Sequence, residues 1–556
     1  MKESTAASRL LKGAFLLGLA AILSKLLGTL QKIPLQNIGG DGVFGIYNTV
    51  YPFYTLLVTL ATAGFSTAVS KFVAEREADG DERGGRYVLR ISAVIMVALG
   101  LLGSLLLFFG APLLGSWIGS THTIPALRAA APALLFVPAS AALRGYFQGL
   151  QNMFPTALSQ VIEQAVRVAV MIVLLLYLTS IGAQESGIAG GAMFGSAAGG
   201  AAGLAVMLFV WRRHRHRSRT GVQESASGVK EIKEGSSFGT GANPAMGRAL
   251  LKSLLAYALP ICLAALAIPL LGLVDTFTLP RLLADGSRTG TEVMAQIGIY
   301  NRGLPLVQLV TMMAASLSVL FIPSMAELKY KGDWPRAANQ AGLALRWFWL
   351  IGCAASVGLA VLAEPINMML YKNSEGSDTF AWLAMSAAPA TIATISAALL
   401  QGLGSVRAPA LAMTLAAVLK AALNVLLAPA FGIDGAAAAG IAAYALAAAL
   451  NMALLVRRLG LAPNLRAALL RPALCLAAMA AAVLLLRLGW AAAGLDGRRL
   501  DAAAESLLGV LLGAAVFLAA ALRLRLISGA ELSALPRVGP QLVLVLDKLR
   551  LLPRQA

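Results

Sequence analysis

Gly45-Ile46-Tyr47-Asn48-Thr49-Val50-Tyr51-Pro52 returns later in the chain as Gly298-Ile299-Tyr300-Asn301-Arg302-Gly303-Leu304-Pro305. The order of Gly, Ile, Tyr, Asn and Pro is kept at a constant offset, so the chain reads as two similar halves. Both copies open a long apolar run, which puts a Tyr-Asn pair and a helix-distorting Pro at corresponding points of two hydrophobic helices. Working outward, Leu10-Leu11-Lys12 matches Leu250-Leu251-Lys252, Ala131-Pro132-Ala133 matches Ala388-Pro389-Ala390, and Gln148-Gly149 matches Gln401-Gly402. Arg167 falls opposite Lys420, and Gly187-Ile188-Ala189-Gly190 resembles Gly432-Ile433-Asp434-Gly435.

The composition carries this duplication into a membrane. Of 556 residues, 58% are hydrophobic and 13% charged, and the mean hydropathy is +0.76. One soluble core cannot bury so much apolar surface, so the chain reads as an all-α integral membrane protein. The net charge of +19 could suggest nucleic acid, but Lys and Arg gather between apolar runs rather than over one basic face, a distribution that orients a protein in a bilayer. Cys262, Cys353 and Cys475 lie inside apolar runs without metal spacing and read as small packing residues. Besides His122, the histidines are His214 and His216, in the run Arg212-Arg213-His214-Arg215-His216-Arg217, which reads as headgroup-facing rather than metal-binding. The first apolar run contains Lys25 and lacks a small-residue cleavage site, so it reads as a retained helix.

Runs of about 20 residues suffice to span the hydrocarbon. They lie near 10–31, 44–70, 87–111, 124–146, 155–178 and 187–210, and resume at 250–273, 296–322, 345–369, 379–403, 408–428, 435–456, 468–487 and 505–526, about 14 in all. Cations collect after alternate runs: Arg76, Arg83 and Arg86; Arg212 to Arg219; Lys329, Lys331 and Arg336; Arg457, Arg458 and Arg466; Arg523, Arg525 and Arg537. That alternation places both termini in the cytoplasm. The expected organisation is an N-lobe of six spans (1–211), a basic, flexible cytoplasmic linker (212–248), a C-lobe of six spans (249–458), and two added spans with an interfacial tail (459–556). Six spans per lobe in the same chain direction imply a pseudo-symmetry axis along the membrane normal, the parallel-repeat transporter plan.

Polar residues within spans show where such a transporter would work. Ser24, Lys25, Gly28, Gln31 and Lys32 share one face of the first run. Tyr47, Tyr51, Thr55, Thr59, Thr62, Ser66 and Ser70 recur at three or four residues along the second, a stripe suited to lining a polar cavity. A charge at the bilayer centre costs at least about 2.5 kcal/mol without compensation. Glu163 and Arg167, one turn apart, read as an internal ion pair. Lys25 and Arg302 have no carboxylate nearby in sequence and stand opposite Ala265 and Thr49 in the repeat, so the symmetry breaks where the charge is. Cations placed asymmetrically suit an asymmetric anion, and a diphosphate is best held by several Lys and Arg donors. Tyr47, Asn48, Arg167, Asn301, Lys420 and Asn424 join them as candidate substrate contacts, with Glu163 and Asp275 as candidates for coupling to H+ or Na+. No HExxH, GxSxG or Walker-type P-loop occurs, so an enzyme is not expected, nor a metal or cofactor. A gradient or the membrane potential would drive transport.

Ser24-Lys25-Leu26-Leu27-Gly28 with Ile33-Pro34-Leu35, the Gly45-Ile46-Tyr47 start, Ala63-Gly64 through Ser70-Lys71, and above all Arg144-Gly145-Tyr146-Phe147-Gln148-Gly149 with Met153, Pro155-Thr156-Ala157 and Ser159-Gln160-Val161-Ile162-Glu163-Gln164 carry a family resemblance. They resemble the polysaccharide-biosynthesis branch of the multidrug/oligosaccharidyl-lipid/polysaccharide exporter superfamily, closest to the stage V sporulation protein B group with its MurJ-type lipid II flippases. The likeness extends through about residue 456. It implies two MATE-like six-helix lobes in a bacterial cytoplasmic membrane, translocating an undecaprenyl-pyrophosphate-linked saccharide by alternating access, with lipid II the first expectation and a monomer the expected state. By the same likeness Lys25 aligns with a functional cation, Arg302 with a cavity arginine, and Gln31 stands where a further arginine is usual, with Lys32 alongside. Arg144 and Lys32 thereby join the candidate substrate contacts, and the last two spans would form a groove for the lipid tail. Exopolysaccharide or spore-cortex precursors are alternative cargoes. A cation-coupled multidrug exporter of the same fold is the alternative class.

Overall fold

The computed structural model describes residues 2–226, 244–284, 288–461, 465–495 and 498–526, and the regular elements among them are all helical. The expected interfacial tail from about Ser533 and residues 227–243 of the expected linker lie outside the described residues. The chain divides into two compact units, Met1–Gly298 and Ile299–Ala556.

The first unit holds α1 (Lys2–Leu30), α2 (Lys32–Ala78), α3 (Glu82–Phe109), α4 (Ala111–Ile118), α5 (Ile124–Ala130), α6 (Ala133–Gly149), α7 (Phe154–Ser180), α8 (Glu185–Ala226), α9 (Pro244–Ala265), α10 (Ala267–Leu282) and most of α11 (Gly290–Asn301). The second holds α12 (Leu304–Lys331), α13 (Trp334–Val361), α14 (Ala363–Tyr371), α15 (Ser377–Met385), α16 (Ala387–Gly402), α17 (Arg407–Leu459), α18 (Leu465–Ala492) and α19 (Arg499–Arg523).

Eleven helical stretches among the described residues are long and apolar enough to cross a membrane, against the fourteen expected. The difference lies at breaks inside long stretches. Arg407–Leu459 runs for 53 residues, about 80 Å of helix against a hydrocarbon core of about 30 Å, and Gly432 breaks it at φ 59°. Leu16–Ala78 is broken at Gln31, just before Pro34, and again at Gly40, where φ is 80°. Over the seventh expected run, Leu266 separates α9 from α10. The basic run from Arg212 does not begin a linker at once, because α8 continues through it to Ala226; Arg is a good helix former and no proline intervenes.

Large apolar side chains face outward as well as inward. On α3 the buried stripe runs through Val88, Leu89, Ser92, Met96, Gly100, Ser104 and Leu107, while Leu101, Leu102, Leu105, Leu106 and Phe109 face outward. Small residues let helices approach where lipid supplies no hydrophobic drive, and the large apolar ones meet acyl chains.

The duplication is visible in the packing of each unit. α2 ends at Gly80 (φ 71°) and α3 starts under an Asp81 cap that accepts from the Gly84 amide at 2.8 Å. α12 ends at Gly332 (φ 69°) and α13 starts under an Asp333 cap that accepts from the Arg336 amide at 3.2 Å. A Cβ on Gly149 would lie 2.7 Å from the Ser70 carbonyl oxygen, and one on Gly402 would lie 2.7 Å from that of Ile322. The α2–α6 and α12–α16 pairs thus meet through the same glycine.

α9 and α10 pack on α2 within the first unit. The Gly64 amide donates to Cys262 Sγ at 3.3 Å, and Thr276 donates to the Thr49 carbonyl at 2.9 Å. In the second unit the two added helices are clamped by Arg487, which donates to Glu364 at 2.6 Å, Glu505 at 3.1 Å and the Val361 carbonyl at 2.9 Å.

Candidate functional site

The first unit gathers its buried polar side chains along α2, α6 and α7. The α6–α7 hairpin turns at Leu150–Met153, so residues equally far from the turn face each other: Arg144 meets Ser159, its Nε donating to the hydroxyl at 2.8 Å. One turn further along α7, Glu163 takes the other arm of the same guanidinium at 2.7 Å. One turn further again, Arg167 reaches back to the second oxygen of Glu163 at 3.5 Å, the expected i, i+4 pair.

Close packing of α8 on α7 forces this geometry. Gly191, Gly195, Gly199 and Gly203 recur every fourth residue and form a groove for α7. A Cβ on Gly199 would lie 2.5 Å from the Glu163 carbonyl oxygen and 2.8 Å from Arg167 Cβ. One on Gly203 would sit 3.0 Å from the Glu163 carboxylate and 3.1 Å from the Arg144 guanidinium. A side chain at Gly199 could not coexist with α7 as placed, and one at Gly203 would require the Glu163 and Arg144 side chains to give way.

Arg167 joins the triad to a ladder of tyrosines on α2. It donates to the Tyr54 hydroxyl at 3.3 Å. Tyr51 lies 6.1 Å from Tyr54 between ring centres, and Tyr47 stacks on Tyr51 at 5.6 Å and 17°. The far end of the ladder meets the α1–α2 break, where Gln31 donates to the Tyr47 hydroxyl at 3.5 Å.

Two guanidiniums share one carboxylate here, and the Nε donor of Arg167 is buried without a hydrogen-bond partner. Next to Gln31, Lys32 is buried, at 6% exposure, and its ammonium has no ion-pair or hydrogen-bond partner among the described residues. Buried positive charge in excess of negative charge, with donor capacity unspent, is an arrangement that an anion would complete.

The other sequence candidates are distributed. Asn48 is buried and returns its amide to the Phe44 carbonyl at 2.8 Å. Lys25 is exposed on α1. Asp275 is half-buried on α10. In the second unit Lys420 and Asn424 are both buried on one face of α17, and Asn301 is buried at the end of α11. Arg302 has 0% exposure, and its guanidinium donates to Asn373, Asn367 and the Glu375 carbonyl. Sequence reading passed over Tyr54 as a partner of Arg167 and the bridge from Arg144 to Glu163. The mirror relation about the α6–α7 turn was the signal available for the second.

A family model for polysaccharide biosynthesis proteins matches residues 10–329. The chain is 34% identical over 528 residues to the uncharacterized membrane protein YabM of Bacillus subtilis (strain 168), covering 94% of each chain. It is 27% identical over 418 residues to lipid II flippase MurJ of the same organism, covering 71% of this chain and 73% of that one. A solved structure of lipid II flippase MurJ in an inward closed conformation matches with a TM-score of 0.62 at 14% identity, over 91% of this chain and 98% of that one, and speaks for the fold. With its duplicated, multi-pass helical architecture and a family match over more than half its length, the chain belongs to the polysaccharide biosynthesis protein family.

Proposed function

We propose that this membrane transporter flips an undecaprenyl-pyrophosphate-linked saccharide, with lipid II as its cargo, across the bacterial cytoplasmic membrane by alternating access, both termini facing the cytoplasm. The observation that carries the reading is the triad of Arg144, Glu163 and Arg167, with two cations to one carboxylate and an unpartnered Arg167 Nε. A diphosphate supplies the missing acceptors, and guanidinium forks match its oxygens. Lys32 adds a further buried cation beside the tyrosine ladder, and Tyr47 and Asn48 stand next in line for the sugar-phosphate end.

The same triad weighs against export of cationic drugs, because Glu163 is already held by two guanidiniums and offers no spare negative charge. Membrane potential, H+ or Na+ would supply the drive; one charge moved across 100 mV is worth about 2.3 kcal/mol. The test is reconstitution in liposomes with labelled lipid II and, separately, another undecaprenyl-pyrophosphate saccharide. Lipid II should become accessible on the far leaflet faster than in protein-free vesicles, and Arg167→Gln should slow it. Preference for the other saccharide would replace the cargo, and movement of neither would sink the flippase reading.

A further inference from the structure

The two copies of the repeated stretch differ in their backbone. In the first copy α2 is helical from Asp41 onward, through Pro52, and Thr49 donates to the Gly45 carbonyl at 2.8 Å. In the second copy the helix stops, because α11 ends at Asn301 and α12 begins at Leu304, leaving Arg302 and Gly303 in the gap. A helix break strands main-chain groups that must find partners outside the helix. The Arg302 carbonyl accepts from the Tyr371 hydroxyl at 2.9 Å.

The Arg302 side chain goes to the same place. It donates to Asn373 Oδ1 at 2.5 Å, to Asn367 Oδ1 at 3.5 Å and to the Glu375 carbonyl at 2.9 Å, and lies 5.6 Å from the Tyr371 ring centre. These residues form the end of α14 and the turn into α15, a segment with left-handed backbone at Lys372 (φ 70°) and Gly376 (φ 71°). Asn367 ties the turn from the other side, donating to the Glu375 carbonyl at 2.8 Å and the Ser377 hydroxyl at 3.1 Å. A cation at a helix C-terminus is favourable, and all three acceptors converge on the one nitrogen Nη1 of Arg302.

We propose that Arg302 is a positioning residue: it latches the α11–α12 break to the α14–α15 turn, and its charge is engaged there rather than on the cargo. The latch is argued from geometry that does not depend on which anion is carried. Only its activity readout rests on the transport reading.

The experiment compares wild type, Arg302→Ala, Arg302→Lys, Asn373→Ala and the double Ala variant in proteoliposomes, varying the density of undecaprenyl-pyrophosphate-linked saccharide. Hydrogen exchange of residues 372–377 is measured on the same purified full-length proteins. Arg302→Ala should lower the maximal rate about tenfold with KM changed by less than about twofold, and Arg302→Lys should recover part of the rate. Asn373→Ala should act in the same direction, the double variant should be no worse than Arg302→Ala, and exchange at 372–377 should rise about tenfold in each. A large rise in KM with unchanged exchange would overturn the latch in favour of cargo contact, as would a silent Asn373→Ala beside an inactive Arg302→Ala. If Arg302→Ala does not fold, Arg302→Lys and Asn373→Ala decide the question. Absence of transport by wild type would count against the flippase reading alone, leaving exchange to judge the latch.

Discussion

Glu163 sits between Arg144 and Arg167 with each of its oxygens claimed by a different guanidinium. Removing the carboxylate leaves two like charges buried side by side. Glu163→Ala is therefore expected to destabilise the protein by about 3 kcal/mol or more, read as a lower unfolding temperature in detergent. Adding Arg144→Gln to Glu163→Ala should return part of that loss, because the surplus cation leaves with its partner. Equal additive losses would show that the three residues do not act as a unit. Arg167→Gln should spare more of the stability but cut the proposed lipid II transport at least about tenfold, since a hydrogen bond to a charged group is worth about 1.5–3 kcal/mol; an unaltered rate would remove Arg167 from the proposed binding site.

At the level of elements, glycine decides how near two helices come. Gly199→Leu should push α7 off α8, costing about 1–3 kcal/mol and disturbing the triad, whereas Gly187→Ala, with open space around its added methyl, should stay within about 0.5 kcal/mol of wild type. Thermal unfolding of the pair is the check, and equal effects would mean that α8 does not pack as described. The repeated stretch makes the same use of glycine within the first unit. A Cβ on Gly45 would lie 1.8 Å from the Met294 carbonyl oxygen, and one on Gly298 2.0 Å from that of Asp41. Gly45→Ala and Gly298→Ala should each reduce both folded yield and transport, because backbone rather than a flexible side chain is in the way. Wild-type yield from both would separate α2 from α11 at this crossing.

Across the molecule, the three cysteines sit in three different packings: Cys262 on α9 against α2, Cys353 on α13, and Cys475 with Leu350, Ala521 and Leu522 where α18 meets α13 and α19. All three are buried, at 0%, 8% and 0% exposure. A maleimide applied to the folded protein should label none of them and should label all three after unfolding, so mass spectrometry of the labelled chain reports on each region separately. Early labelling of Cys475 alone would show that the added helices are loosely docked despite the Arg487 clamp. The clamp itself is legible only in three dimensions, since Glu364, Arg487 and Glu505 belong to α14, α18 and α19.

Apolar runs of spanning length, the duplicated Gly-Ile-Tyr-Asn stretch and the i, i+4 spacing of Glu163 and Arg167 are all written locally, because helical periodicity and bilayer thickness act on neighbours in sequence. They suffice for a multi-pass, internally duplicated helical membrane protein with buried charge. What the fold alone decided is where long helices break and which distant groups each charge meets. Arg302 looked solitary because the acceptors at Asn367, Asn373 and Glu375 lie more than sixty residues away, and Arg144 looked unrelated to Glu163 until the hairpin register set them face to face. A buried charge is assigned by its partners, and in a helical bundle those come from the close crossing of elements, which glycine contacts and helix breaks control and which spacing along one helix does not encode.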